Sequence, residues 1–330
     1  MSRGVWMLLT PLSELLGIRH PIIQAPIWPG AAPELAAAVS EAGALGSVAA
    51  VFSSVERLTD HIARVRALTN RPFAVNHVVS FLDEAAFVAT LEARPAVISL
   101  SQGDPGTLVA RAHEAGIKVI HQVHTVRQGR EAAARGVDAI IAQGMEAGGQ
   151  GQAKGVGTMA LVPQLVDAVG PIPVIAAGGI ADGRGLAAAI TLGAAGVNMG
   201  TRFLASFEAD GAEEWKRAVL ETESEDSIRF EEWEEIFPAR PGIYPVSPRV
   251  LPSAFMAQWH GRPEDVRSEA IRLKQEILAV VREHRMDKLL PFGGQTAGLI
   301  KTLLPARQIV QDIVADAVSA LARASAQSEA

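Results

Sequence analysis

The residues of this 330-residue chain best suited to chemistry sit in short glycine-containing loops. The segment Gln143-Gly144-Met145-Glu146-Ala147-Gly148-Gly149-Gln150-Gly151 follows an apolar run from Val137 to Ala142, so it reads as a loop leaving a buried strand. Gly148 and Gly149 expose main-chain N–H groups and let a flat or anionic ligand approach the backbone closely. Gly178-Gly179 and Gly200-Thr201 close two later apolar runs. Backbone donors that converge there suit a phosphate dianion. The Gln150 amide donates and accepts hydrogen bonds but does not titrate near neutral pH. It can orient a substrate or an oxyanion, and it cannot act as a general base. Thiolate chemistry is absent because the chain has no cysteine. No His/Asp/Glu cluster has metal-ligand spacing, so no catalytic metal is expected.

Short β-rich runs, each followed by an alanine-rich helical stretch, must position these groups. Strands are predicted at 21–25, 45–50, 73–78, 96–100, 118–122, 139–143, 173–177 and 196–199. Helices are predicted at 33–41, 54–68, 84–92, 106–114, 126–134, 158–168 and 183–192, several opened by good starting residues: Pro33, Ser54, Asp104 with Pro105, and Asp182. Eight strand–helix units before residue 200 predict a closed TIM (β/α)8 barrel rather than an open doubly wound sheet. Polar residues gather where the strands end: Gln24, Asn76, Ser99, Ser101, His121, Gln122 and Gln143, then Gly178-Gly179 and Gly200-Thr201. Active sites of this fold lie at those ends.

From Phe207 the repeat stops. An acidic stretch, 213–233, carries Trp215 and Trp233, and 238–252 holds five prolines and reads as an irregular connector. Helical spacing returns over 263–285, with Val266, Ile271, Leu273, Ile277, Leu278 and Val281 on one stripe. The barrel is therefore assigned to 1–206 and 287–330, and 207–286 to a helical lobe beside its mouth. The stripe is read as lobe core or as the interface of a homodimer. A glycine-rich loop, 291–300, leads into a last amphipathic helix, 306–321, and a polar tail.

Six pieces of the chain, in order, resemble the FMN-dependent nitronate monooxygenase family, also known as 2-nitropropane dioxygenases. After Gln24-Ala25-Pro26-Ile27 come Pro72 to Asn76, Lys118 to His121, Gln143 to Gly149, Ala177 to Gly185 and Asn198-Met199-Gly200-Thr201-Arg202-Phe203. The likeness extends to Gln295-Thr296-Ala297-Gly298. The resemblance implies FMN as cofactor. It places Ala25, Pro26 and Ile27 along the isoalloxazine ring, Asn76, Gln122 and Gln143 at its polar edge or ribityl chain, and Gly148 and Gly149 beside it. Gly178, Gly179, Gly200 and Thr201 would bind the phosphate, with Asn198 and Met199 in the same motif and Gln295 closing the site. Glu146 would organise its loop, and Arg184 and Arg202 read as ion-pairing residues rather than phosphate ligands.

The family usually carries a histidine after the glycine pair, where this chain has Gln150. His77 is the first candidate for a replacement base, although strand alternation points it away from Asn76. His121 and His124 are further candidates. Three readings stay open. One is oxidation of a nitronate, or a similarly stabilised carbanion, with O2. The second is reduction of an enoyl thioester or quinone by NAD(P)H. The third is flavin binding without catalysis.

Composition limits the partners. The chain is 48% hydrophobic and 5% aromatic, with a formal charge of −6 and no basic run, which argues against nucleic-acid binding. The run Trp6-Met7-Leu8-Leu9 is cut short by Pro11, too brief for a signal-peptide core. No apolar run approaches the roughly 18 residues of a membrane span. A soluble, cytoplasmic protein acting on a small molecule is expected.

Overall fold

The computed structural model describes residues 8–30, 32–239 and 243–328. Trp6 and Met7 of the N-terminal run, and Arg240-Pro241-Gly242 of the proline-rich connector, lie outside the described residues. Eight strands are parallel: β1 (Ile22–Gln24), β2 (Gly46–Ala49), β3 (Phe73–Val78), β4 (Val97–Ser101), β5 (Lys118–Val123), β6 (Ala139–Gln143), β8 (Val174–Ala177) and β9 (Gly196–Met199). Their order is β1-β9-β8-β6-β5-β4-β3-β2, and a bridge between Ile23 and Leu45 joins the two ends. The result is a TIM barrel with helices between its strands. Gln24, expected among the ligand-facing polar groups, is fully buried at this seam. Its main-chain N–H donates to Leu45 O (2.9 Å), and its Oε1 accepts from Ser47 N (2.8 Å).

Helix starts follow side-chain chemistry. Ser54 Oγ accepts from Arg57 N, and Asp182 accepts from the N–H groups of Arg184 and Gly185, satisfying donors with no intrahelical partner. Asp104 behaves differently from the expectation. It turns the chain by accepting from Gly106 N and pairs with Arg135, and the helix begins later, at Leu108. The barrel floor is closed by a short helix, Pro11–Leu16, whose Leu12 and Leu16 pack with the inward residues Ile23, Ala74, Val97, Ile120 and Ile175. Ala306–Ser328 completes the outer layer against the helix Gly183–Thr191. The fit there is close: a Cβ on Gly183 would lie 2.3 Å from Ala317 N.

The segment between β9 and that last helix builds an apolar cluster of its own around Phe230, Trp233, Phe255, Trp259, Leu273 and Ile277. The expected stripe divides. Val266, Leu273 and Ile277 are buried, whereas Ile271 is 79% exposed. The proline-rich connector is not wholly irregular, because it contains β11 (Val246–Val250). This strand pairs antiparallel with β10 (Ile228–Arg229) and with β7 (Gly149–Gln152), which comes from the glycine loop after β6. Among the described residues, no helix is long and apolar enough to cross a membrane.

Candidate active site

A pocket opens at the C-terminal ends of the barrel strands. β1 leads into Ala25, Pro26 and Ile27 on its wall; β3 contributes Asn76, β5 Gln122 and β6 Gln143. The loop after β6 adds Gly148, Gly149 and Gln150. From β8 and β9 come Gly178 and Gly179, then Asn198, Met199, Gly200 and Thr201. One cavity thus gathers fifteen of the sixteen positions that remain after His77 is set aside, counting Gln150 and leaving out only Gln295. Gln295 lies just beyond the wall, where its main-chain N–H holds Glu146 O at 3.0 Å; Thr296 takes the wall position.

His77 does not face this cavity. Asn76 turns inward and donates from Nδ2 to Ser99 O (3.1 Å) and Ser99 Oγ (3.2 Å), so the next side chain turns outward. His77 Nε2 lies 2.9 Å from Thr90 Oγ1, and its ring meets Phe87 edge-on at 5.3 Å, both on the helix Glu84–Ala93. Because the Thr90 hydroxyl donates to Ala86 O, the imidazole supplies the proton of the His77–Thr90 bond. Burial lowers the His77 pKa to about 4, which keeps the ring neutral. His121 and His124 are also buried outside the pocket, each lowered by burial to about 4. His124 Nδ1 donates to Gln143 O (3.2 Å).

The loops of the cavity are held mainly by backbone contacts. Glu146 accepts from Thr158 N with both carboxylate oxygens (3.0 Å each) and from Thr158 Oγ1 (2.9 Å), fixing the loop to the start of a helix. Gly148 passes so close to the 291–300 loop that a Cβ would lie 2.4 Å from Gly294 N. That loop is tied in turn to Thr201 Oγ1, which accepts from Gly294 N at 3.0 Å. Arg229 Nη2 and Arg249 Nε, carried by β10 and β11, both donate to Met145 O at 3.1 Å. Sequence reasoning did not single out either arginine. Their buried side chains clamp the glycine loop from the ribbon side.

Several groups fit a phosphorylated, flat ligand. Gly178 and Gly179 have φ values of 96° and 74°, a turn that favours glycine and directs N–H groups to one side. No residue among those described accepts from the N–H groups of Gly179, Gly200 or Thr201. Asn198 Oδ1 is buried beside them without a partner. Arg184 and Arg202 do not join this array. Arg184 is exposed and pairs with Asp182 at 2.5 Å. Arg202, read from sequence as ion-pairing, is buried and donates to the carbonyls of Ala205 and Thr302, each at 2.7 Å. At the outer rim, Trp28 and Phe52 pack edge-on at 5.1 Å, and Phe52 meets Phe81 at 5.5 Å. Glu146 is the only residue with a titratable side chain among the described residues of the lining.

Comparison with known proteins agrees with this architecture. The model of the nitronate monooxygenase family matches residues 9–88 and 83–316. The chain is 41% identical over 217 residues to the Mycobacterium tuberculosis (3aS,4S,5R,7aS)-5-hydroxy-7a-methyl-1-oxo-octahydro-1H-indene-4-carboxyl-CoA dehydrogenase, covering 65% of this chain and 61% of that protein. It thus spans less than two thirds of that relative's length. A probable nitronate monooxygenase of Staphylococcus aureus is 35% identical over 262 residues, covering 66% of this chain and 74% of the relative. Among solved structures, FabK from Thermotoga maritima superposes with a TM-score of 0.85 at 32% identity, covering 97% of this chain and 99% of that one. The chain belongs to the nitronate monooxygenase family of flavin-dependent oxidoreductases.

Proposed function

We propose that this protein binds FMN and oxidises a resonance-stabilised anion, a nitronate or a carbanion of similar charge distribution, with O2 as the final acceptor. One observation carries the reading. Gln150 lines a pocket in which Glu146, the only titratable side chain among the described residues of the lining, is engaged by Thr158. Bound FMN supplies the two-electron acceptor. The N–H groups of Gly179, Gly200 and Thr201 receive its phosphate, and the amides of Asn76, Gln122 and Gln143 meet its polar edge or ribityl chain. Ala25, Pro26, Ile27, Gly148 and Gly149 would line a flat ring, and Asn198 and Met199 stand on the same pocket wall as the glycine turns. The loop at Gly293-Gly294 excludes water from one side. Trp28, Phe52 and Phe81 provide an apolar rim for the rest of the substrate. With no base at hand, the substrate must arrive already ionised, and Gln150 orients its oxygen by hydrogen bonding.

The likeness to FabK and to the Mycobacterium tuberculosis dehydrogenase favours a second reading, reduction of an enoyl thioester or quinone by NAD(P)H. Anaerobic mixing separates the two. Loss of flavin absorbance with a nitronate, and oxygen uptake on re-aeration, supports the oxidation. Loss with NADH or NADPH but with no nitronate overturns it in favour of the reductase. Stable absorbance with every reductant leaves only flavin binding.

A further inference from the structure

Gln102 follows β4 directly and has φ +56°, a left-handed conformation uncommon for a residue with a side chain. It is held at both ends. Ser80 N donates to its carbonyl at 3.1 Å, and Ser80 Oγ donates to its side-chain Oε1 at 3.2 Å. Its Nε2 donates to Gln150 Oε1 at 3.1 Å. A flip of the Gln150 amide alone would set NH2 against NH2, two donors with no acceptor between them. Gln150 Oε1 is therefore occupied. Its Nε2, which has no partner among the described residues, is the atom left for the pocket.

We infer that Gln102 is a positioning residue: it fixes the Gln150 amide with its donor end toward the substrate, and so selects substrates that present an anionic or strongly accepting oxygen. This rests on the proposed role of Gln150 at the reacting centre. A histidine in the same place could donate, accept or carry charge as its tautomer and protonation change. The pinned amide can only donate. Negative charge on a nitronate, enolate or carboxylate oxygen is matched, whereas a hydroxyl that must donate meets a second donor.

The test is calorimetric titration of the FMN-loaded protein with sodium butyrate, an anion with a short apolar tail, which requires no turnover. Gln102→Glu should turn the Gln150 amide over, because a carboxylate at 102 accepts from Gln150 Nε2 instead of donating to Oε1. Butyrate binding should weaken about 10-fold, the scale of one lost hydrogen bond to a charged group. Gln102→Leu removes the pin without adding charge and should weaken binding by about threefold. In a Gln150→Ala background neither substitution should change butyrate affinity more than about twofold, since coupling runs through the amide. Two outcomes overturn the inference: equal losses in both backgrounds, which would mean a direct charge or shape effect, and failure of wild-type protein with full flavin content to bind butyrate. Butyrate binding with this pattern, but no flavin reduction by any nitronate, would sink the proposed reaction and leave the positioning role standing.

Discussion

On the side of the pocket that follows β8 and β9, Gly178, Gly179, Gly200 and Thr201 present main-chain N–H groups from turns that end barrel strands. On the side that follows β4 and β6, Gln102 and Gln150 present amide side chains, the second from a ribbon strand outside the barrel. Main-chain donors persist through any substitution that keeps the turn, whereas a side chain is replaced by a single codon change. In the proposed function, anchoring falls to the main-chain side and substrate orientation to the amide side, so the two rest on separable parts.

The largest effect should come from breaking the anchoring side. Gly179 has φ 74°, which valine disfavours strongly, so Gly179→Val should reduce FMN affinity by at least about 100-fold while circular dichroism stays close to wild type. Gly200 sharpens the point. Its φ is −102°, and the nearest atom to an added Cβ is Ala25 Cβ at 3.7 Å. Gly200→Val should therefore act only by filling ligand space, and Gly200→Ala should retain most of the flavin. Full occupancy in both valine variants would place the phosphate elsewhere.

On the reactive side, Gln150→Ala should leave flavin content unchanged and lower turnover on the order of 100-fold, the scale for one donor aimed at developing charge. Gln150→His should add a pH dependence near roughly 6.5 and improve turnover of neutral nitroalkanes, which need a base. Equal rates of wild type on nitroalkane and nitronate would contradict a pocket without a base.

Smaller effects should follow outside the pocket. His77→Leu should cost about 1–2 kcal/mol of stability through loss of the bond to Thr90, with turnover unchanged. The buried histidines also make stability depend on pH. Their folded pKa values, about 4, lie below the unfolded value of 6.5, so the unfolded chain binds more protons between these limits. Stability from this source is full above pH 6.5 and falls as pH drops toward 4. A melting temperature that stays flat across that window would contradict the burial of these rings. Smallest of all, Arg184→Ala should leave melting temperature and flavin content close to wild type, because the ion pair with Asp182 is on the surface.

The barrel was legible because its strands are buried on both faces. Ala139–Gln143 and Gly196–Met199 match the predicted bounds residue for residue, bounded by helix-starting and glycine signals. The ribbon was not. Gly149-Gln150-Gly151-Gln152 has no β-forming side chains, and its partner lies far along the chain in a proline-rich stretch, so only tertiary contact makes it a strand. Gln102 passed unnoticed for the same reason, since its meaning depends on Gln150 across the pocket. His77 was a different case: alternation along β3 sets it opposite Asn76 without saying which of the two faces the mouth, and the contacts of Asn76 with Ser99 and of His77 with Thr90 show that Asn76 does. The floor helix had a readable signal in Thr10-Pro11, a cap followed by proline in the first turn.

The helix Ala306–Ser328 packs against the helices Gly183–Thr191 and Pro33–Glu41, yet more than a hundred residues separate it from either. During synthesis, the eight strands emerge well before this part of their outer layer does. Ile309, Val310, Ile313 and Val314 then shield apolar surface that the nascent barrel has left open. The order of translation thus delays closure of this flank until residues 306–328 have followed the strands. Until then the exposed apolar flank is a site at which a partly folded chain can aggregate.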